Sequence, residues 1–231
     1  MLPANNVQLV RVALEEIDLS GMEKTLPEAA TKVIDEANSR IDDFFETERN
    51  RKYPRYLPSD PGPFFLALDF LTREDIPLGK VFCEWGSGFG VHACLAALLE
   101  YESYGLEIET ELVELASTLA EDLGLKAEFL KTSYVPEGFE SYTGLGGEEL
   151  VLPDEFTTSN RGDDFEPSYE GMPHLASEID VIFVYPHPND QEFMHQLFDA
   201  IACEGAILVA YYAHGDIHAF RKVFEDDEEE D

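Results

Sequence analysis

Within VFCEWGSGFGVHACLAALLE, residues 81–100, a carboxylate stands at the end of an apolar run and glycines follow at 86, 88 and 90. Glycines so placed admit positive φ and strip Cβ atoms from a turn where bare backbone can touch a ligand. The N–H groups of such a turn, and of the helix after it, favour an anionic group, a phosphate or a carboxylate. Glu84 is the unusual member, because a carboxylate just inside a strand end is costly to desolvate unless it meets a cation or several donors. A second acid, Glu107, ends the next apolar run 21 positions after Gly86. An acid there can accept hydrogen bonds from the two hydroxyls of a ribose.

The elements that must hold these groups alternate. KVFCEW predicts a strand, GSGFG a turn and VHACLAALLE a helix buried against a sheet. ESYGLEI predicts the second strand, and ELVELASTLAEDLG a helix with Thr110 as its cap and Gly124 as its stop. KAEFLKTS, EIDVIFVYP and GAILVAYYA follow as strands, with a helix opened by Asn189 between the last two. Upstream, Ala30, Val33, Ile34, Ala37, Ile41, Phe44 and Phe45 recur at helical spacing between Pro27 and Lys52, and Ser59 or Asp60 is placed to start a second helix. This alternation predicts an α/β fold with a doubly wound, mostly parallel sheet and an N-terminal helical extension.

We divide the chain into an extension and possible lid over 1–62, a core over 63–224 and an acidic tail over 225–231. Residues 136–178 form a long Gly-, Pro- and acid-rich insertion, read either as solvated chain or as a lid using aromatics such as Phe139, Tyr142, Phe156, Phe165 and Tyr169. The 231 residues are 44% hydrophobic, enough for one domain with a substantial core. A net charge of -34 repels phosphate backbones and anionic membranes, making nucleic acid an unfavoured partner. The one basic cluster, Arg49 to Arg55, is expected to neutralise acidic neighbours. Cys83, Cys94 and Cys203 lack CxxC spacing and read as reduced thiols. With no signal-like start and no membrane-length apolar run, a soluble cytoplasmic protein is the expectation.

A dinucleotide fingerprint would place its third glycine at position 91, which is Val91, and would have no need of Glu84. S-adenosylmethionine instead offers an ammonium and a sulfonium to a carboxylate. The run from Glu84 to Gly90, ExGxGxG, with YGLEIETELVELA after it, resembles the glycine-rich motif and following acidic motif of class I S-adenosylmethionine-dependent methyltransferases. The resemblance covers residues 80–135 well and 179–212 more loosely. It implies a Rossmann-like fold and methyl transfer from S-adenosylmethionine. By it, Glu84 would orient the methionine end of the cofactor, and Gly86, Ser87, Gly88 and Gly90 would line its carboxylate and nucleoside. Glu107 would hold the ribose, Ile108 would pack on the adenine, and Thr132 or Ser133 would approach its edge.

The fourth strand ends in YPHP, where that family places groups facing the methyl acceptor. Tyr185 and His187 stand there in place of the Asp or Asn, two prolines and aromatic residue of amino-group methyltransferases acting on bases. If the acceptor must lose a proton, His187 is the first candidate base, Tyr185 the second and His214 the third. The acceptor is then a small neutral or cationic molecule or a basic protein segment. Two rivals remain: a NAD(P)-dependent oxidoreductase, and an inactive cofactor-binding protein acting as an acidic interaction module. His92 reads as a capping or core histidine, Trp85 as pocket wall and Tyr56 either as part of a lid or as a packing residue. His214 and His218 suggest no metal site, and no Ser-His-Asp pattern is visible in the chain. A complete sheet of this family adds an antiparallel pair after its fifth strand. Only DIHAFRKVF remains there, so the missing edge is expected from VQLVRVAL near the N-terminus.

Overall fold

The computed structural model describes residues 11–144, 147–151, 166–212 and 215–225. His214, Phe156, Phe165 and the acidic tail beyond Glu225 lie outside the described residues, as do Val7 to Val10 of the expected edge strand.

Five strands run parallel: β2 (Val81–Trp85), β3 (Glu102–Glu107), β4 (Ala127–Lys131), β7 (Val181–Val184) and β8 (Ile207–Tyr211). With β1 (Arg11–Glu16) and β9 (Ile217–Glu225) they form a seven-stranded sheet of order β1-β9-β8-β7-β2-β3-β4. The fold class is therefore α/β with a mostly parallel sheet, as the alternation predicts. β9 is antiparallel to β8, and β1 is antiparallel to β9 with Arg11 opposite Glu225. The N-terminal stretch thus supplies the edge strand expected of it, and what precedes the core is not helical throughout.

β2, β7 and β8 are buried along nearly their whole length, because helices cover both faces. One face carries α1 (Glu28–Glu46), α2 (Pro61–Arg73), α3 (Val91–Leu98) and α4 (Thr110–Leu123), whose apolar stripes meet around Phe44, Phe64, Phe82, Leu95 and Leu119. The other carries α5 (Gln191–Ile201) with Tyr169 of the insertion, over Cys83, Leu106 and Ile182. Burial pushes the Cys83 and Cys94 thiols up, Cys94 to about 12, so both are packing groups rather than nucleophiles. No described helix is long and apolar enough to cross a membrane.

Several local expectations need correction. The first helix stops at Glu46, where Glu48 takes a left-handed conformation (φ 59°) and a 3₁₀ turn, Arg49–Lys52, follows. Thr110 is the first residue of α4 rather than its cap, and Asp190, not Asn189, precedes α5. Asp60 does cap α2, accepting the Gly62 N–H at 3.0 Å, and Gly124 ends α4 at φ 66°. Inside the insertion the pairing of Glu140–Gly144 (β5) with Gly147–Val151 (β6) makes a hairpin that helical periodicity could not reveal.

Candidate functional site

The order of the sheet reverses between β2 and β7, so the loops after these strands leave in opposite directions and open a crevice at their carboxyl ends. There lies a cavity of about 510 Å³, a size suited to a nucleoside-scale ligand. Glu84, Gly86, Ser87, Glu107 and Ile108 line it from one side, Thr132 and Ser133 from the edge of β4, and Tyr185 and His187 from beyond β7. The structure thus gathers these predicted residues around one space.

Gly88 and Gly90 do not line that space. A Cβ on Gly88 would stand 2.5 Å from Tyr56 Cε2, so the Tyr56 ring lies directly on the turn. A Cβ on Gly90 would stand 2.1 Å from Phe129 Cε1 and 2.9 Å from Ala116 Cβ. Both glycines serve close packing at positive φ, while Gly86, with φ 67° and nothing within 4 Å of its missing Cβ, presents open backbone. Ser87 is buried, and its Oγ has no hydrogen-bond partner among the described residues.

The anion that the turn and helix start were expected to attract is supplied by the chain itself. Glu84, 3% exposed, accepts the Ala93 N–H at the first turn of α3 at 2.9 Å through Oε2. Its Oε1 lies 2.6 Å from His92 Nδ1. Glu107 accepts the Gly88 N–H through Oε2 and the Glu109 N–H through Oε1, each at 3.0 Å. Burial raises the Glu107 carboxyl above its ordinary value, against the backbone N–H groups of Glu109, Gly88 and Ile108, which lower it. The turn is therefore bracketed by two buried carboxylates, one occupying the N–H of its middle residue, Gly88, and the other that of Ala93 in the helix that follows. Ile108 beside it is 62% exposed, an apolar surface at the cavity mouth.

His92 is the buried core histidine that the sequence allowed. Phe64 meets its ring edge-on at 5.0 Å, Phe183 stacks on it at 4.1 Å, and Ser59 Oγ lies 3.0 Å from Nε2. A Ser-His-Glu chain is thereby assembled from three elements. Sequence reading missed it because Ser59, Glu84 and His92 follow no fixed spacing, and Ser59 stood out there only as a helix start.

The roof comes from residues 49–59. Arg49 donates to Glu111 Oε1 through Nε at 2.9 Å and Nη2 at 2.5 Å, and the Tyr53 hydroxyl donates to Oε2 at 2.6 Å. These partners hold the Glu111 carboxyl down at about 2, Tyr53 first and Arg49 next, and the same bond pushes the Tyr53 hydroxyl up to about 12. Arg51 pairs with Glu48 and Lys52 with Glu111, so the basic cluster does neutralise acidic neighbours. Tyr56 packs between Phe44, Phe45 and Phe89, and its hydroxyl is raised by burial and by Glu84 and Glu107. Ser141 of the β5–β6 hairpin also lines the cavity, which gives part of the insertion a place at the site.

No family model and no curated protein matches this chain. Similar solved structures include an RNA methyltransferase from Salinibacter ruber in complex with S-adenosyl-L-homocysteine, 19% identical, over 76% of this chain and 99% of that one, with a TM-score of 0.43. A methyltransferase from Geobacter sulfurreducens is 13% identical over 88% and 94% of the two chains, at 0.42. The O-methyltransferase TomG from Streptomyces achromogenes, involved in tomaymycin synthesis and in complex with SAM, is 16% identical over 80% and 66%, also at 0.42. TM-scores below 0.5 carry no argument about function, which has to come from the geometry of the site.

Proposed function

We propose that this chain is an S-adenosylmethionine-dependent methyltransferase. The observation that carries the reading is the pair of buried carboxylates bracketing the glycine turn. Glu107 occupies the Gly88 N–H and Glu84 the Ala93 N–H, the kind of donors that a dinucleotide pyrophosphate needs, and each adds a negative charge beside them. A pyrophosphate meets repulsion there, whereas a ligand carrying an ammonium and a sulfonium meets attraction. The oxidoreductase rival is disfavoured for that reason.

In this reading Glu107 holds the ribose hydroxyls through the lone pairs left by its backbone bonds, and exposed Ile108 packs on the adenine. Thr132 and Ser133 approach the adenine edge. Gly86 and Ser87 face the methionine end, and the second lone pairs of the Glu84 carboxylate are directed to its ammonium. Gly88 and Gly90 shape the turn. S-adenosylmethionine supplies an electrophilic methyl group, and the protein contributes chiefly by positioning an acceptor in line with it. Tyr185 and His187 stand on the acceptor side. The acceptor is a small molecule or a protein segment, neutral or cationic, with nucleic acid disfavoured by the charge of -34.

Thermal unfolding in the presence of S-adenosylmethionine, S-adenosylhomocysteine, NAD and NADP tests the cofactor. Saturation at 100 times Kd stabilises a protein by about 2.7 kcal/mol. The two adenosyl sulfur compounds are expected to raise the midpoint by several degrees and the nicotinamides to leave it in place. Stabilisation by NAD or NADP alone would overturn the reading. Methylated product from any acceptor would dispose of the inactive-module alternative.

A further inference from the structure

We infer that Ser59, His92 and Glu84 form a proton relay that takes the proton of a hydroxyl-bearing, phenol-like acceptor. The inference rests on the methyltransferase reading and adds to it a base and a substrate class. A carboxylate only accepts hydrogen bonds, so Nδ1 of His92, 2.6 Å from Glu84 Oε1, carries a hydrogen in the Glu84 carboxylate form. Neutral His92 then presents a bare Nε2 to Ser59, which donates its hydroxyl hydrogen across 3.0 Å. Ser59, His92 and Glu84 all line the cavity, with Ser59 half-buried beneath the roof. Phe64 and Phe183 clamp the ring, so the relay is oriented before any ligand arrives. Exposed His187 has no such clamp.

The proton count closes. As the acceptor oxygen bonds to the methyl carbon, the carbon–sulfur bond breaks with its electron pair on sulfur. The acceptor proton passes to Ser59 Oγ while the Ser59 proton passes to His92 Nε2. The resulting imidazolium is held by Glu84 and later releases its proton to water. An acceptor that is already anionic has no use for this path. It would also face Glu84, Glu107, Glu109 and Asp190, with Arg55 the cation among the described lining residues. Aromatic walls at Tyr56, Phe89 and Tyr185 suit a flat neutral ring.

Among the described residues, the side chains that meet His92 are Glu84 from β2, Ser59 from the segment ahead of α2, and the uncharged Phe64 of α2 and Phe183 of β7. The experiment uses the full chain, with catechol and 4-methylphenol as probe acceptors and benzoate as an anionic control. S-adenosylhomocysteine binding is measured in parallel. We expect transfer to the phenols and none to benzoate. Ser59→Ala and His92→Gln are expected to keep S-adenosylhomocysteine affinity within about threefold and to lose about 10²- to 10⁴-fold in rate, the range of general-base catalysis. Ser59→Thr, which keeps the hydroxyl, restores part of the Ser59→Ala loss. Ser59, outside the core, keeps the test decisive should His92→Gln fail to fold. S-adenosylhomocysteine binding without transfer to either phenol would overturn the relay, as would variants with the wild-type rate. Failure of the wild type to bind S-adenosylhomocysteine would instead overturn the cofactor reading beneath it.

Discussion

The floor and the roof of the cavity are built by different physics. The floor is the β2 turn with Glu107, fixed by backbone donors and by Gly90 packed against Phe129 and Ala116. The roof, residues 49–59, is fixed by side chains, with Arg49 and Tyr53 reaching Glu111 at the start of α4 and Tyr56 lying among Phe44, Phe45 and Phe89. A buried backbone network yields only with the fold, whereas exposed ion pairs contribute little each and can be released locally. A ligand seat that keeps its shape can thus lie under a cover that opens.

Substituting the floor glycines separates the two. Gly90→Ala sets a Cβ at positive φ against a ring of the sheet and a helix, neither of which can withdraw. Denaturant unfolding should show a loss of about 2–5 kcal/mol, from the left-handed cost together with overpacking. Gly88→Ala meets only the Tyr56 ring of the roof, so it should cost about 1–2 kcal/mol, mainly the left-handed conformation. Its larger effect should be on ligand affinity, expected to change tenfold or more as Tyr56 is displaced. Equal stability losses in the two variants would break the distinction.

Acid should release the roof before the floor. The Glu111 carboxyl is depressed in the folded state, so its stabilising contribution is complete above the ordinary value of 4.5 and is lost as pH falls toward about 2. The raised Tyr53 hydroxyl has the opposite sign, contributing fully below 10 and losing its contribution as pH climbs toward about 12. Pepsin cleavage near Phe44 to Tyr56 should accelerate across the acid window, and Glu111→Gln, which has no carboxyl to titrate, should show the faster cleavage already above that window. Cleavage first within β2 or β3 would contradict the ranking. The smallest effect is expected from Lys52→Ala, whose 3.6 Å pair with Glu111 is exposed, with stability changing by about 0.5 kcal/mol or less.

The same contrast explains what could be read from the chain. The β2 turn, Glu107, the α1 stripe and the Asp60 cap are local patterns with fixed spacing, so periodicity and residue type announce them. Arg49 with Glu111, Ser59 with His92 and β1 with β9 are separated by tens to hundreds of positions and become neighbours only through the sheet order. The edge role of the N-terminal strand could be anticipated only by counting strands that were missing. Gly88 and Gly90 show the converse: their type was informative, but whether each faced a ligand or a neighbouring ring depended on Tyr56 and Phe129, which no local motif contains.

The central claim is that Glu84 and Glu107 bracket a turn built for S-adenosylmethionine. Its most direct test is calorimetric titration of the protein with S-adenosylmethionine and S-adenosylhomocysteine, repeated with Glu107→Ala. The account predicts binding in the micromolar range, about −8 kcal/mol, weakened at least tenfold in the variant. A folded wild type that binds neither compound, or a variant that binds both as tightly as the wild type, would contradict it.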